Sequence, residues 1–164
     1  MGTKTASTRI EGLLPLFDMH TTFFARAIEG ISEEDMYKRL NTKANHMAWL
    51  TGALVGQRYY MIQDTHPKLK QTGDELFKDN KGLQEDAKYP TIAEYLQDWE
   101  KVTPLARQAL ISVDDQKLDS IIDMGFMKLS LYEMTSFTIY REASMIGQLA
   151  LWRRLLDYPA MRYD

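Results

Sequence analysis

The chain of 164 residues has no cysteine. That absence removes disulfides, thiolate nucleophiles, iron–sulfur clusters and cysteine zinc sites together, and it fits a reducing compartment. Its three histidines, His20, His46 and His66, stand apart, with no His-Glu-x-x-His pattern and no pair four residues apart. None has a glutamate three residues before it, so the Glu-x-x-His pairs of di-iron helical proteins are missing. There is no Gly-x-Ser-x-Gly elbow, P-loop or dinucleotide fingerprint. Long apolar runs are also lacking: charges or turn residues interrupt each one before it could span a bilayer, and the start of the sequence has no apolar signal stretch. Positive charge is in deficit, at a net −3, the wrong sign for a protein that holds nucleic acid through its phosphates. These absences lead us to expect a cytoplasmic protein with neither nucleic acid nor membrane as partner.

What the sequence does contain is amphipathic helix. With 45% hydrophobic and 26% charged residues, residues 1–164 read as one domain able to bury a core without staples. Residues 13–29 carry Leu13, Leu16, Phe17, His20, Phe23, Phe24, Ala27 and Ile28 at helical spacing, with Pro15 suited to a first turn. Gly30 ends this helix, and Ser32 with Glu33, Glu34 and Asp35 opens a short turn to about residue 40. A second helix is expected over 43–65, with Met47, Leu50, Ala53, Leu54, Gln57, Tyr60 and Met61 facing inward and Pro67 just past its end. Residues 66–90 have loop composition, with a turn of helix over 74–78. So long a connection in a compact domain is either functional or simply mobile surface.

Capping boxes mark two further starts: Thr91-Ile92-Ala93-Glu94 opens a helix to about residue 110, and Ser130-Leu131-Tyr132-Glu133 opens one to about residue 157. Pro104 removes a backbone donor inside the third helix and predicts a kink near Lys101. Ile31-Ser32-Glu33-Glu34-Asp35 echoes Ile111-Ser112-Val113-Asp114-Asp115, either as two related helical pairs or as two independently chosen caps. Four apolar stripes and no strand pattern predict an all-α antiparallel four-helix bundle.

Polar residues on apolar stripes need a reason, because an unpaired polar group in a core is costly. In the fourth helix, the spacing Met134, Phe137, Arg141, Met145, Gln148, Trp152 and Leu155 puts Arg141 and Gln148 inside. Gln57 in the second helix, His46 two turns before Ala53, and His20 in the first join them. Each also has an ordinary use, as a satisfied core histidine, a glutamine bonded to a neighbour, or an arginine reaching the surface.

Four segments then resemble, in order, the DinB/YfiT-like superfamily of DNA-damage-inducible proteins over nearly the whole chain. They are Ile28-Glu29-Gly30-Ile31-Ser32-Glu33-Glu34-Asp35; Asn45-His46-Met47-Ala48-Trp49-Leu50-Thr51-Gly52-Ala53-Leu54; Thr91-Ile92-Ala93-Glu94-Tyr95-Leu96; and Arg141-Glu142-Ala143-Ser144-Met145-Ile146-Gly147-Gln148-Leu149, followed by Arg153-Arg154. The resemblance implies a divalent metal held by three histidines, but residue-by-residue alignment puts Ala53, Arg141 and Met145 at those positions. Alanine has no donor atom, a thioether suits hard ions poorly, and a guanidinium repels a cation. The thiol transfer and isomerisation of some relatives therefore lose their metal here.

The expectation is a metal-free, non-catalytic member, a dimer that binds a small acidic ligand or serves a stress response and takes no cofactor. Its pocket would hold Arg141 as anion anchor, with Gln57, Gln148 and His46 orienting the ligand. The alternatives are a metal-dependent thiol transferase or hydrolase rebuilt from His20, His46, Glu133 or Glu142, and an interaction dimer with no ligand pocket.

Overall fold

The structure, a computed structural model, describes residues 4–164. It is mostly helical, with one small antiparallel sheet. Helix α1, Leu14–Ile28, carries its proline in the first turn and ends at Gly30, whose φ of 72° is the left-handed geometry that glycine adopts without strain. A 3-10 turn, Asp35–Tyr37, follows, with Ser32 Oγ accepting from Asp35 N at 3.1 Å. Helix α2, Met47–Met61, starts later than its periodicity suggests because His46 is its cap, Nδ1 accepting from Trp49 N at 3.1 Å. Helix α3, Ile92–Ser112, and the longest helix, α5, Leu131–Leu155, both open on the expected capping boxes. α3 runs on through Pro104 to its end at Ser112.

Between α3 and α5 lie the short helix α4, Asp115–Leu118, and a hairpin of β1, Ile121–Asp123, with β2, Lys128–Ser130. Ile121 pairs with Ser130 and Asp123 with Lys128, and the tip turns on Gly125 at φ 82°, with Asp123 Oδ1 accepting from Gly125 N at 2.9 Å. The hairpin corrects the expectation of no strands: three residues per strand are too few for an alternating pattern to stand out. The two Ile-Ser-x-acid-Asp segments do not share a geometry. Ser32 caps the turn after α1, whereas Ser112 is the last residue of α3 and Asp114 caps α4.

Each long helix packs against two others, α1 on α3 and α5, and α2 on α3 and α5. Phe17, Phe24, Ile28, Leu50, Leu54, Tyr95, Val102, Ile146 and Leu149 are buried between them. Among the described residues no helix is long and apolar enough to cross a membrane.

The connection from α2 to α3 is docked along much of its length. It contains two 3-10 turns, Asp74–Leu76 and Lys78–Asn80. Gly52 and Gly56, one turn apart on α2, leave the room: a Cβ at Gly52 would collide with the Phe77 ring and the Tyr95 hydroxyl, and one at Gly56 would meet the Gln71 amide at 3.2 Å. Asp98 of α3 clamps the segment, accepting from Thr72 N at 2.5 Å and from the Tyr59 hydroxyl at 3.2 Å. Farther on, Tyr37 and Tyr89 are joined by two bonds, Tyr89 N to Tyr37 Oη at 3.0 Å and Tyr37 Oη to Tyr89 O at 3.2 Å.

Candidate functional site

The most polar place in the core is the Arg58 guanidinium, which has no exposed surface. All five of its N–H groups are spent. Nε donates to Glu142 Oε1 at 2.9 Å and Nη2 to Glu142 Oε2 at 3.2 Å. Nη1 donates to Thr21 Oγ1 and Thr103 Oγ1, both at 2.8 Å, and Nη2 also donates to Phe17 O at 3.1 Å. The Phe17 and Trp99 rings cover its faces at 3.8 and 3.6 Å from their centroids. His20 Nδ1 lies 3.2 Å from Glu142 Oε2. Burial pulls the Arg58 pKa down from its ordinary value while Glu142 opposes the shift. With every guanidinium proton used, both carboxylate oxygens engaged and the pair buried, the cluster holds α1, α2, α3 and α5 together.

A cavity of about 500 Å³ lies between α2, the docked connection and Arg141 in the middle of α5. Gln57, Ala53 and Arg141 line it together with Trp49, Tyr59, Tyr60, Phe77 and Gln71. Four cations, Lys70, Lys78, Lys81 and Arg141, face two carboxylates, Asp74 and Asp79, leaving a local surplus of two positive charges on a chain of net −3. Lys70 lies 3.7 Å from Asp74, whereas Arg141 has no carboxylate partner among the described residues and only the Phe137 ring nearby, 5.9 Å from its centroid. In a partly enclosed site such a surplus raises the local concentration of anions.

Two of the four expected ligand residues thus meet at one cavity, and two do not. Gln148 is exposed, with Nε2 3.5 Å from Ser144 O, because the buried face of α5 runs through Met134, Thr138, Glu142, Met145, Leu149 and Trp152. The expected inward stripe was rotated by about one residue, and Phe137 is outside with Gln148. His46 is buried and seated between the Tyr37 and Tyr89 rings, each 5.2 Å from it between centroids, and its Nδ1 lone pair is committed to the cap. Burial holds its pKa below the ordinary 6.5, Arg39 acting in the same direction and Glu85 against it.

The residues named for a rebuilt metal site do not converge. His20 and Glu142 meet in the Arg58 cluster, His46 caps α2, and Glu133 closes its capping box by accepting from Ser130 N at 2.8 Å. No group of three His, Asp or Glu side chains able to hold a metal occurs among the described residues. His66 sits beside Thr65, its Nδ1 2.9 Å from the threonine hydroxyl. No protein-family model matches the chain, and no curated protein matches it.

Proposed function

We propose that the chain is a cytoplasmic four-helix bundle of the DinB/YfiT-like kind, in which the superfamily's metal site has become a non-catalytic pocket for a small acidic ligand, in a binding or stress-response role. The observation that carries this reading is Arg141, an arginine without a carboxylate partner among the described residues, lining a 500 Å³ cavity with Gln57 and a surplus of positive charge. The pairwise packing of α1, α2, α3 and α5 is what a bundle requires. Ala53 and Arg141, which the resemblance aligns with two metal ligands, both line the cavity, and Met145 is buried close by in α5. In this reading Arg141 supplies the charged, planar fork for a carboxylate and Gln57 an adaptable amide beside it.

The test is calorimetric titration of the tag-free protein with small carboxylates such as succinate and hippurate. Arg141→Ala is expected to weaken their binding by about tenfold or more, in line with the loss of a charge-assisted bond. Unchanged affinity in the variant would overturn the reading. So would near-stoichiometric metal, measured by plasma mass spectrometry, after incubation with zinc, nickel, manganese or iron and desalting.

A second reading, a homodimer acting through its surface, draws on the outer side of α5. Phe137, Tyr140, Leu151 and Leu155 are all exposed there.

A further inference from the structure

The seam between α2 and α5 continues past the cavity beside Arg141. The two helices run antiparallel: Arg58 of α2 bonds Glu142, while Asn45 O, just before α2, accepts from Trp152 Nε1 near the far end of α5 at 3.0 Å. The end of α2 and the residues after it therefore lie beside the first turns of α5. A second cavity, of about 410 Å³, is found there, lined by Met61, Leu110, Val113, Ile122, Leu131 and Met134. Tyr60 and Gln63 line both cavities, and on α5 Thr138 belongs to the second and Arg141, one turn on, to the first. The two cavities are neighbours along one seam.

Their chemistry differs. In the second, the charged groups cancel, Lys117 Nζ lying 3.1 Å from Asp64 Oδ2. Its hydroxyls are spent on the backbone: Thr135 donates to Leu131 O at 2.8 Å, Thr138 to Met134 O at 2.9 Å and Ser120 to Lys117 O at 2.6 Å. What this cavity offers a ligand is apolar surface, which a hydrocarbon group gains by covering. The polar side chains it has left, Tyr60 and Gln63, stand on the edge shared with the first cavity, where Arg141 has no carboxylate partner among the described residues. We propose that the two cavities take one molecule, a medium-chain carboxylate with its acid at Arg141 and its alkyl chain laid past Tyr60 and Gln63 into the apolar cavity. This rests on the reading of the first cavity as an acid-binding pocket and names the class of acid. Along α5, Arg141 stands about 10 Å from Met134 and about 15 Å from Leu131 at the helical rise. An extended alkyl chain advancing roughly 1.3 Å per carbon covers that span with about eight to twelve carbons.

Calorimetric titration of the intact chain with straight-chain carboxylates from butyrate to hexadecanoate, each below its micelle concentration, reads the chain-length dependence. Affinity is expected to rise about threefold per methylene up to decanoate and to level off beyond dodecanoate. Ala109→Phe, which sets a ring into the apolar cavity, should flatten the rise and leave butyrate unchanged. Should that variant fail to fold, Thr135→Phe fills the same cavity from α5. Equal affinity of butyrate and decanoate for the wild-type chain would overturn the proposal, and so would a rise that survives in the filled variant. In either case, butyrate binding that is lost in Arg141→Ala would leave the acid-binding reading standing. Decanol binding as tightly as decanoate would show a tail site without an acid site and would also overturn the proposal. Failure of every acid to bind would sink both readings.

Discussion

A guanidinium with no exposed surface is tolerated only when its charge is paired and its donors are all used, and at Arg58 both conditions are met by groups from three other helices, α1, α3 and α5. Arg58→Leu should leave the Glu142 carboxylate buried and unpaired, and a loss of about 3–5 kcal/mol in chemical denaturation is expected. Arg58→Leu combined with Glu142→Leu should recover a large part of that loss, because an apolar pair replaces a charged one. His46 gives a prediction in pH. Its folded pKa lies below the ordinary value, so the unfolded chain takes up the proton first. The stability it contributes is complete above about pH 6.5 and is lost as the pH falls below that value. Unfolding measured from pH 8 to pH 5 should show the decline, and His46→Asn, which keeps a capping oxygen but does not titrate, should flatten it. Neither role was legible in the sequence. Arg58 follows Leu50 and Leu54 by whole turns, but the stripe through Ala53, Gln57 and Tyr60 reads as well, since α2 carries apolar or small residues on nearly every side. On α5 the same ambiguity, with Phe137 and Tyr140 on one face and Ile139 and Ile146 on the other, turned the expected interior from Glu142 to Arg141.

Elements with strong local signals were read correctly. The capping boxes of α3 and α5, Pro15 in α1 and Gly30 after it act through neighbouring residues alone, so their meaning survives folding. The connection over 66–90 behaves differently. Its composition is that of a surface loop, yet Phe77 and Gln71 dock on Gly52 and Gly56 and Thr72 is held by Asp98, contacts between residues 15 to 26 positions apart that no local pattern announces. The seam between this segment and α2 is therefore sensitive to small changes. Gly52→Ala, a substitution that normally favours a helix, should instead destabilise by about 1–3 kcal/mol, because its methyl group meets Phe77 and Tyr95. Hydrogen exchange of residues 66–90 should become faster in that variant, and unchanged exchange would contradict the docking of Phe77 on Gly52.

For the whole molecule, a net charge of −3 is distributed unevenly, with the cavity region locally positive. Affinity for acidic ligands should fall as salt rises from 50 to 500 mM, through screening of the rim lysines. At the same scale, self-association through the outer side of α5 is expected to be lost in Leu151→Glu, read by sedimentation velocity at several concentrations. The Arg58 cluster has a further consequence, for how the protein comes apart. Its five donors are distributed over α1, α3 and α5, so no single helix can peel away without leaving the guanidinium short of partners in an apolar surrounding. Partial unfolding is penalised whichever helix departs first, and the four long helices are bound into one cooperative unit that melts as a whole.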